Sequence, residues 1–388
     1  MTATSETAPP ARDRADACPG ALQTHPAADG ELARVRVPGG ALSAAQLQVL
    51  ADAARELGDG ALELTSRGNL QLRGLATGAA RELGDRLAAA GLLPSETHER
   101  VRNVLASVLS GRSGGQVDVR PWVPAFDAGL RADPQLAGLP GRFLATLDDG
   151  RGDVAGFGGD VGLLAVGPHT VTLTLAGDDT GLHTGPDHAV GLLLAATRAF
   201  SAERAVQGGT AWRLGELTDG PLRVAARLGH RLDRPGTPPA TSPVGPLGVL
   251  SQDDGRTALV ALVPLGRLTA DQADLLAGLA PDLQVTPWRS VVVPDLTDTS
   301  ASDRLSAAGL VLDPESPWSR VTACAGRPGC AKSRADVRAD VTAAVRSDSL
   351  PGSGARQHWS GCERRCGRPR GEVVDVLATG AGYEISRT

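Results

Sequence analysis

Four of the five cysteines fall in two short clusters near the C-terminus. The first reads Thr322-Ala323-Cys324-Ala325-Gly326-Arg327-Pro328-Gly329-Cys330, a C-x5-C spacing. The second reads His358-Trp359-Ser360-Gly361-Cys362-Glu363-Arg364-Arg365-Cys366-Gly367, a C-x3-C spacing. Thiolates are soft ligands, and four of them meet the need of a [4Fe-4S] cubane, in which each iron takes one protein sulfur. Gly326, Gly329, Gly361 and Gly367 let the backbone come close, with N–H groups aimed at sulfur. The competing reading is a four-thiolate zinc site. Zinc knuckles mostly use shorter spacings within a small module, which spacings of five and three in a 388-residue chain do not match. Cys324, Cys330, Cys362 and Cys366 are therefore the expected metal and cofactor-binding residues of a redox enzyme.

Other chemistry-bearing residues lie nearby in type or position. His358, four residues before Cys362, reads as a ligand of a mononuclear iron or a hydrogen-bonding partner of the site, or equally as a packing or capping residue. Asp148-Asp149-Gly150 reads first as a turn, and second as a pair of carboxylates for such an iron. Cys18 stands alone before Pro19-Gly20 and reads as an unbridged, loosely structural thiol.

Bulk composition narrows the partners. Net charge is -5 and no basic stripe is present, which argues against nucleic acid. No apolar run reaches the roughly 18 residues of a membrane span. The opening MTATSETAPPARDRADA carries acids and prolines and no apolar stretch, so residues 1–27 read as a disordered tail and not as a secretory signal. Clustered cysteines without such a signal point to a reducing cytoplasm. Lys332 is the only lysine among 39 basic residues, so the positive charge is almost entirely planar guanidinium.

The elements that must position these residues repeat along the chain. A strand with Ala33, Val35 and Val37 on one face runs into Pro38-Gly39, and Ser43…Gln46 then has the form of a capping box. Leu42 and Leu47 sit as a hydrophobic staple, and Leu47, Leu50, Ala54 and Leu57 follow at helical spacing. Short strands are expected around Leu62–Thr65 and Leu70–Arg73. The same plan returns from Ala261: Val263-Pro264 matches Val37-Pro38, Thr269…Gln272 matches Ser43…Gln46, and the strand with Thr286 matches that with Thr65. Each small unit precedes a longer stretch mixing strands (Val161–Val166, Val171–Leu175) with helices (Ala189–Phe200, Arg334–Arg346). The last helix, striped by Val337, Val341 and Val345, would place Cys330 at a helix N-terminus, where partial positive charge favours a net-negative cluster. Pro235–Pro239 and Pro243–Pro246 mark the join between halves. The expected order is a tail (1–27), a small unit (28–90), a large unit (97–235), a second small unit (240–300) and a cluster-binding unit (301–388), in an α+β fold.

At these residues the sequence resembles the nitrite and sulfite reductase superfamily. The C-x5-C…C-x3-C pattern is that of its [4Fe-4S] domain, in which the last cysteine, here Cys366, also bridges to sirohaem. Thr65-Ser66-Arg67-Gly68-Asn69-Leu70-Gln71 resembles its T-T-R-Q-N-x-Q strand, Arg102-Asn103-Val104 its R-N-V motif, and Leu139-Pro140-Gly141-Arg142-Phe143-Leu144 its L-P-x-K-F-K motif. The resemblance implies duplicated ferredoxin-like half-domains plus two α/β domains of the nitrite/sulfite reductase type, arranged with pseudo-twofold symmetry. One departure stands out: the two lysines flanking Phe143 in the reductases are Arg142 and Leu144 here. Cys18-Pro19-Gly20-Ala21-Leu22, Asp29-Gly30, Asp148-Asp149-Gly150-Arg151-Gly152 and the segment from His358 to Gly367 are similar to the precorrin-3B synthase branch, which serves cobalamin biosynthesis.

That branch implies a monooxygenase that hydroxylates precorrin-3A at C20 and closes a γ-lactone, using O2, a [4Fe-4S] cluster and a mononuclear non-haem iron. The alternative is a sirohaem-dependent nitrite or sulfite reductase. A third class is a non-catalytic cluster or zinc protein. Precorrin-3A is a flat tetrapyrrole edged with carboxylates, which arginine forks bind in bidentate fashion. Arg67, Arg102 and Arg142, on motif positions, are the expected catalytic-site clamps, and Arg73, on the polar strand face with Gln71, is a further candidate. Glu363, Arg364 and Arg365, between the last two cysteines, are expected to tune or shield the cluster. No G-x-G-x-x-G follows a strand, so electrons are expected from an external donor, NADH through a reductase or a ferredoxin-like protein. A monomer is the default.

Overall fold

The computed structural model describes residues 16, 18–232, 239–240, 244–352, 354–369 and 371–387. Along the first part of the chain run β1 (His25–Ala27), β2 (Gly30–Val35), β3 (Ala41–Ser43), α1 (Ala44–Leu57), β4 (Ala61–Leu64), β5 (Leu70–Leu75) and α2 (Ala80–Ala89). Next come β6 (Val104–Ala106), α3 (Trp122–Arg131), β7 (Ala145–Asp148), β8 (Val161–Gly167), β9 (Thr170–Leu175), β10 (Asp178–Thr184), α4 (Pro186–Val206) and α5 (Gly220–Arg227). The repeat of the small unit holds β11 (Gly248–Ser251), β12 (Thr257–Leu262), β13 (Arg267–Thr269), α6 (Ala270–Ala277), β14 (Asp282–Val285), β15 (Ser290–Leu296) and α7 (Ala301–Ala307). The C-terminal part holds β16 (Val321–Ala323), α8 (Val337–Arg346), β17 (Gln357–Ser360), β18 (Val374–Thr379) and β19 (Gly382–Arg387).

The chain divides into two compact units that cut across its linear order. One comprises Met1–Gly20, Arg36–Gly40 and Pro94–Gly245, and the other Ala21–Val35, Ala41–Leu93 and Pro246–Thr388. Both small repeats and the cysteine-bearing segment thus share one unit, where the sequence order suggests separate domains.

The reason lies in exchanged strands. The two repeats build five-stranded antiparallel sheets, β1-β2-β5-β4-β13 and β11-β12-β15-β14-β3, and each takes its last strand from the other repeat. Leu42 of β3 faces Leu283 of β14, and Leu268 of β13 faces Leu62 of β4. The reciprocal bonds match: Ala44 N donates to Pro281 O at 2.8 Å, and Ala270 N to Gly60 O at 3.0 Å. Both capping boxes form, Ser43 with Gln46 and Thr269 with Gln272. The two glutamines then repeat one long-range bond, Gln46 Nε2 to Ala90 O and Gln272 Nε2 to Ala308 O. Leu42 and Leu47 are both buried, as the staple requires.

The remaining two sheets carry the longer stretches. One runs β10-β9-β8-β7-β6, with β6, β7 and β8 parallel. Helices α3 and α4 cover it, and Phe126, Phe143 and Phe200 fill the layer between. Each such ring contributes about 2–3 kcal/mol by leaving water. The other runs β16-β17-β18-β19, with β16, β17 and β18 parallel. Val337 and Val341 of α8 pack on it beside Trp359.

Two expectations change. Residues 1–15 and 17 of the expected tail lie outside the described residues, but its C-terminal part is structured. His25–Ala27 pairs with β2, and Ala21 is buried. So short a strand carries no strong pattern of its own and is ordered by the sheet it joins. The helix after Cys330 starts at Val337 and not at Arg334. Asp336 caps it through Ala339 N, and Ser333 and Ala335 bond to each other in a turn instead. Cys330 therefore does not sit on the helix N-terminus.

Candidate metal centre

The four thiols are carried by two loops, each leaving the C-terminal end of a parallel strand. Cys324 follows β16, and its N donates to Trp359 O of β17 at 3.0 Å. Gly361 N, just past β17, donates to Cys324 Sγ at 3.2 Å, one of the N–H to sulfur contacts the glycines predict. Gly361 must be glycine: a Cβ there would lie 1.8 Å from Ser333 Oγ. Ser333 N in turn donates to Cys330 O, and Arg334 N to Gly361 O, which stitches the two loops together.

No disulfide joins the four cysteines, and Cys366 is exposed. Burial pushes the Cys366 thiol up; Arg364 pulls it down, and Cys324, Cys362 and Cys330 each push it up further. Four soft donors on two loops stitched together by backbone bonds, with the Gly361 N–H on Cys324 Sγ, fit a thiolate-bound metal or iron-sulfur cluster.

A buried ion-pair network holds the first loop in place. Arg73, only 7% exposed, donates from Nε and Nη2 to both oxygens of Asp29 at 3.0 Å, and from Nη2 to Gly329 O at 2.6 Å. Glu63 lies 3.8 Å from the same guanidinium and accepts from Arg338 Nη2 at 2.6 Å. Arg73 is thus committed to protein partners beside Cys330 and is not a carboxylate clamp. Gly329 can carry no side chain, since a Cβ would lie 2.9 Å from Arg73 Nη2.

Beside the second loop, His358 is fully buried. Its Nδ1 lies 2.8 Å from Thr322 Oγ1, while its Nε2 has no hydrogen-bond partner. Burial, then the charge of Arg289, pushes its pKa down to about 4, so the ring is neutral near pH 7. Thr322 Oγ1 also donates to Gln357 O at 3.1 Å. Asp375 is buried too and accepts from Arg368 Nε at 2.9 Å, while Arg365 Nε lies 3.6 Å from it. Arg365, Arg368, Gly371, Glu372 and Asp375 line an open cavity of 620 Å³. Arg365 and Glu363 pair at 3.4 Å, so the residues between the last two cysteines are engaged locally.

The arginines expected from the motifs have different surroundings. Arg67 is half-buried in the turn between β4 and β5 and not in a strand; its N donates to Thr65 Oγ1 at 3.3 Å. Arg102 is buried, and its fork is occupied by Asp127, with contacts of 2.6 and 3.1 Å. That pairing makes it a structural residue of its unit, not an open clamp. Arg142 is exposed and stacks over the Trp212 ring at 4.9 Å, while its N donates to Asp16 Oδ2. Asn103 Nδ2 donates to Gly141 O at 3.0 Å, tying the R-N-V and L-P-G-R-F-L segments together. Arg102 and Arg142 lie in one unit, Arg67 and the cysteines in the other. Cys18 Sγ accepts from Arg36 Nη2 at 3.8 Å.

Asp148, Asp149 and Asp153 come together, buried, with oxygens within 4.8 Å of one another. Their bonds are internal. Asp148 accepts from the N–H groups of Gly150, Gly152, Val154 and Ala155. Asp149 pairs with Arg151, and Asp153 accepts from Ser107 Oγ and Val108 N. The turn reading of Asp148 and Asp149 accounts for these bonds.

Sequence reasoning missed Glu63, Arg289, Arg338 and Asp375. For Arg289 a signal existed: aligning the repeats places it opposite Gly68, where no charge is expected.

Comparison with known proteins bears out the resemblance read from the motifs. Residues 25–90 match the nitrite/sulfite reductase ferredoxin-like half domain. The chain is 26% identical to precorrin-3B synthase of Sinorhizobium sp over 96% of its own length and 82% of that protein's. It is 27% identical to ferredoxin–nitrite reductase of Synechococcus elongatus, covering 90% of this chain and 76% of that one. Similarity extends to a sulfite reductase [ferredoxin] of Mycobacterium tuberculosis, 27% identical over 79% of this chain and 60% of the relative. The Mycobacterium tuberculosis NirA structure shares the fold, with a TM-score of 0.75 and 22% identity, over 92% of this chain and 73% of that one. Among the described residues, no helix is long and apolar enough to cross a membrane.

Proposed function

We propose that this chain is an oxidoreductase of the precorrin-3B synthase type, acting on precorrin-3A beside a [4Fe-4S] cluster held by Cys324, Cys330, Cys362 and Cys366. The observation that carries this reading is its similarity to precorrin-3B synthase over 96% of the chain. Leu144 in place of a reductase lysine supports it, because one of the two cations that flank Phe143 in sulfite and nitrite reductases is missing here.

A cluster held by these four cysteines would supply electrons one at a time. In the overall reaction one oxygen atom of O2 enters the substrate at C20 and the other leaves as water, with two electrons and two protons from an external donor. The chain's own contribution is binding and orientation. Arg67, in the unit that carries the four clustered cysteines, offers a guanidinium for the carboxylate edge of the tetrapyrrole, and guanidinium does not titrate in the working range. In the other unit, Arg102, through Asp127, and Asn103, through Gly141, set the segment that carries Arg142. Arg73 holds the Cys330 loop against its sheet.

The test is anaerobic purification followed by turnover of precorrin-3A with O2 and a reductant. The expected product carries one added oxygen as hydroxy-lactone, and the visible spectrum shows a broad brown absorption without sirohaem bands. Tight sirohaem binding with sulfite reduction, and no effect on precorrin-3A, would instead establish the reductase reading, which similarity to nitrite reductase over 90% of the chain keeps as the second choice.

A further inference from the structure

The repeated turn contains its own control. In the first repeat, Thr65 N donates to Asn69 O, and Thr65 Oγ1 accepts from the N–H groups of Arg67 and Asn69. In the second, Thr286 N donates to Ser290 O, and Thr286 Oγ1 accepts from the N–H groups of Trp288 and Ser290. The fourth residue of each turn is left-handed, with φ 62° at Gly68 and φ 60° at Arg289. Glycine takes that conformation freely; an arginine there is strained. The second repeat therefore holds an unfavourable backbone to place a guanidinium where the first has no side chain, a pattern that points to function.

The location of that guanidinium says what the function is. Arg289 Nη2 donates to Gly367 O, the residue after Cys366, at 3.3 Å. From the position of a Cβ on Gly367, Arg289 Nη2 is 3.4 Å away and His358 Cε1 is 4.0 Å away, so both side chains crowd the back of the Cys366 turn. No carboxylate pairs with Arg289 among the described residues. Glu63, the acid nearest in effect, is already engaged by Arg338 at 2.6 Å. Among the described residues the cation thus has no paired carboxylate, while a four-thiolate cluster held at Cys366, the residue before Gly367, would carry net negative charge.

We propose that Arg289 is a positioning residue for the iron-sulfur cluster: it grips the Cys366-Gly367 turn and supplies a fixed positive charge that raises the cluster's reduction potential. This rests on the cluster reading of the four cysteines but not on the identity of the tetrapyrrole. A nearby positive charge favours the reduced, more negative cluster, so its loss lowers the potential.

Arg289→Gly is the informative variant, because φ near 60° suits glycine and the fold is not put at risk. Full-length wild type and variant are reconstituted anaerobically with iron and sulfide, and the midpoint potential is read by electron paramagnetic resonance during a redox titration. Arg289→Gln, which keeps an amide donor without charge, is measured alongside, and Arg86→Gln, whose partners are Glu56 and Glu82, serves as the control outside this network. The expected result is a full cluster in all proteins, with the midpoint shifted negative in Arg289→Gly and Arg289→Gln and unshifted in Arg86→Gln. Unshifted potentials in both Arg289 variants, or an equal shift in Arg86→Gln, would overturn the role of Arg289 and leave the cluster standing. Wild type that assembles no cluster would overturn the cluster reading itself, and this inference with it.

Discussion

The two parallel sheets end in loops that are built alike and filled differently. Ser107 follows β6 as Cys324 follows β16. Ser107 N donates to Leu147 O of β7, and Cys324 N to Trp359 O of β17. Two residues further on, just past the end of the second strand, Asp149 N donates to Ser107 Oγ at 3.0 Å, and Gly361 N donates to Cys324 Sγ at 3.2 Å. The backbone is the same, with sulfur in the place of oxygen. In the first loop the carboxylates of Asp148 and Asp153 take up the surrounding N–H and O–H groups, so the loop closes on itself. In the second, Gly361 takes the place of Asp149 and Cys324 that of Ser107, and the loops carry cysteines instead of acids. A parallel-sheet end supplies converging N–H groups, and the side chains decide whether these serve the protein's own carboxylates or an external group.

The largest expected effect comes from making the second loop resemble the first. Cys324→Ser should abolish cluster assembly, seen as loss of iron, sulfide and brown absorbance after anaerobic reconstitution, with the unfolding transition still cooperative. Retained absorbance would remove Cys324 from the ligand set. In the opposite loop, Asp148→Ala strands four buried N–H groups. We expect a loss of about 3 kcal/mol or more by denaturant unfolding, with unchanged iron content. Loss of iron would make this loop a metal site after all.

The loops should also titrate in opposite senses. Burial, then the charge of Asp148, pushes Asp153 up to about 6 from 3.8. The folded form therefore binds its proton more tightly than the unfolded one, and this group's contribution is most favourable below pH 4. It is lost as pH rises through about 6, by at most about 3 kcal/mol. His358, held down at about 4, works the other way: its contribution is present above pH 6.5 and is lost as pH falls through about 4. Stability curves between pH 4 and 7 should show wild type losing ground to Asp153→Asn as pH rises; parallel curves would exclude Asp153 as the source. The smallest effects lie in the repeated caps. Ser43→Ala and Thr269→Ala should each cost about 1 kcal/mol in thermal or chemical unfolding. A marked inequality would show that the repeats no longer bear load equally.

Much of the site was legible because it is local. C-x5-C and C-x3-C spacings, their glycines and the two capping boxes depend on residues a few positions apart; both boxes form, and the Gly361 N–H meets Cys324 Sγ. The arginine assignments were less legible. Arg73 reads as a polar-face residue, yet Asp29, Glu63 and Gly329 close around it from distant parts of the chain. Arg102 sits on its motif, yet Asp127, twenty-five residues away, occupies its fork. An arginine's role depends on which carboxylate reaches it first, and spacing along the chain does not carry that information.

The sequence by itself determined the four thiols, the duplication and the similarity to nitrite and sulfite reductases and precorrin-3B synthase, because these are properties of short patterns. Tertiary structure alone decided that β3 and β13 change sheets, that the cysteine segment joins the unit of the two repeats, and that the helix after Cys330 starts too late to serve it. It alone also put Arg289, and not glycine, behind Cys366. Strand exchange and charge placement are set by long-range pairing and by the burial of groups that meet only once the chain is folded.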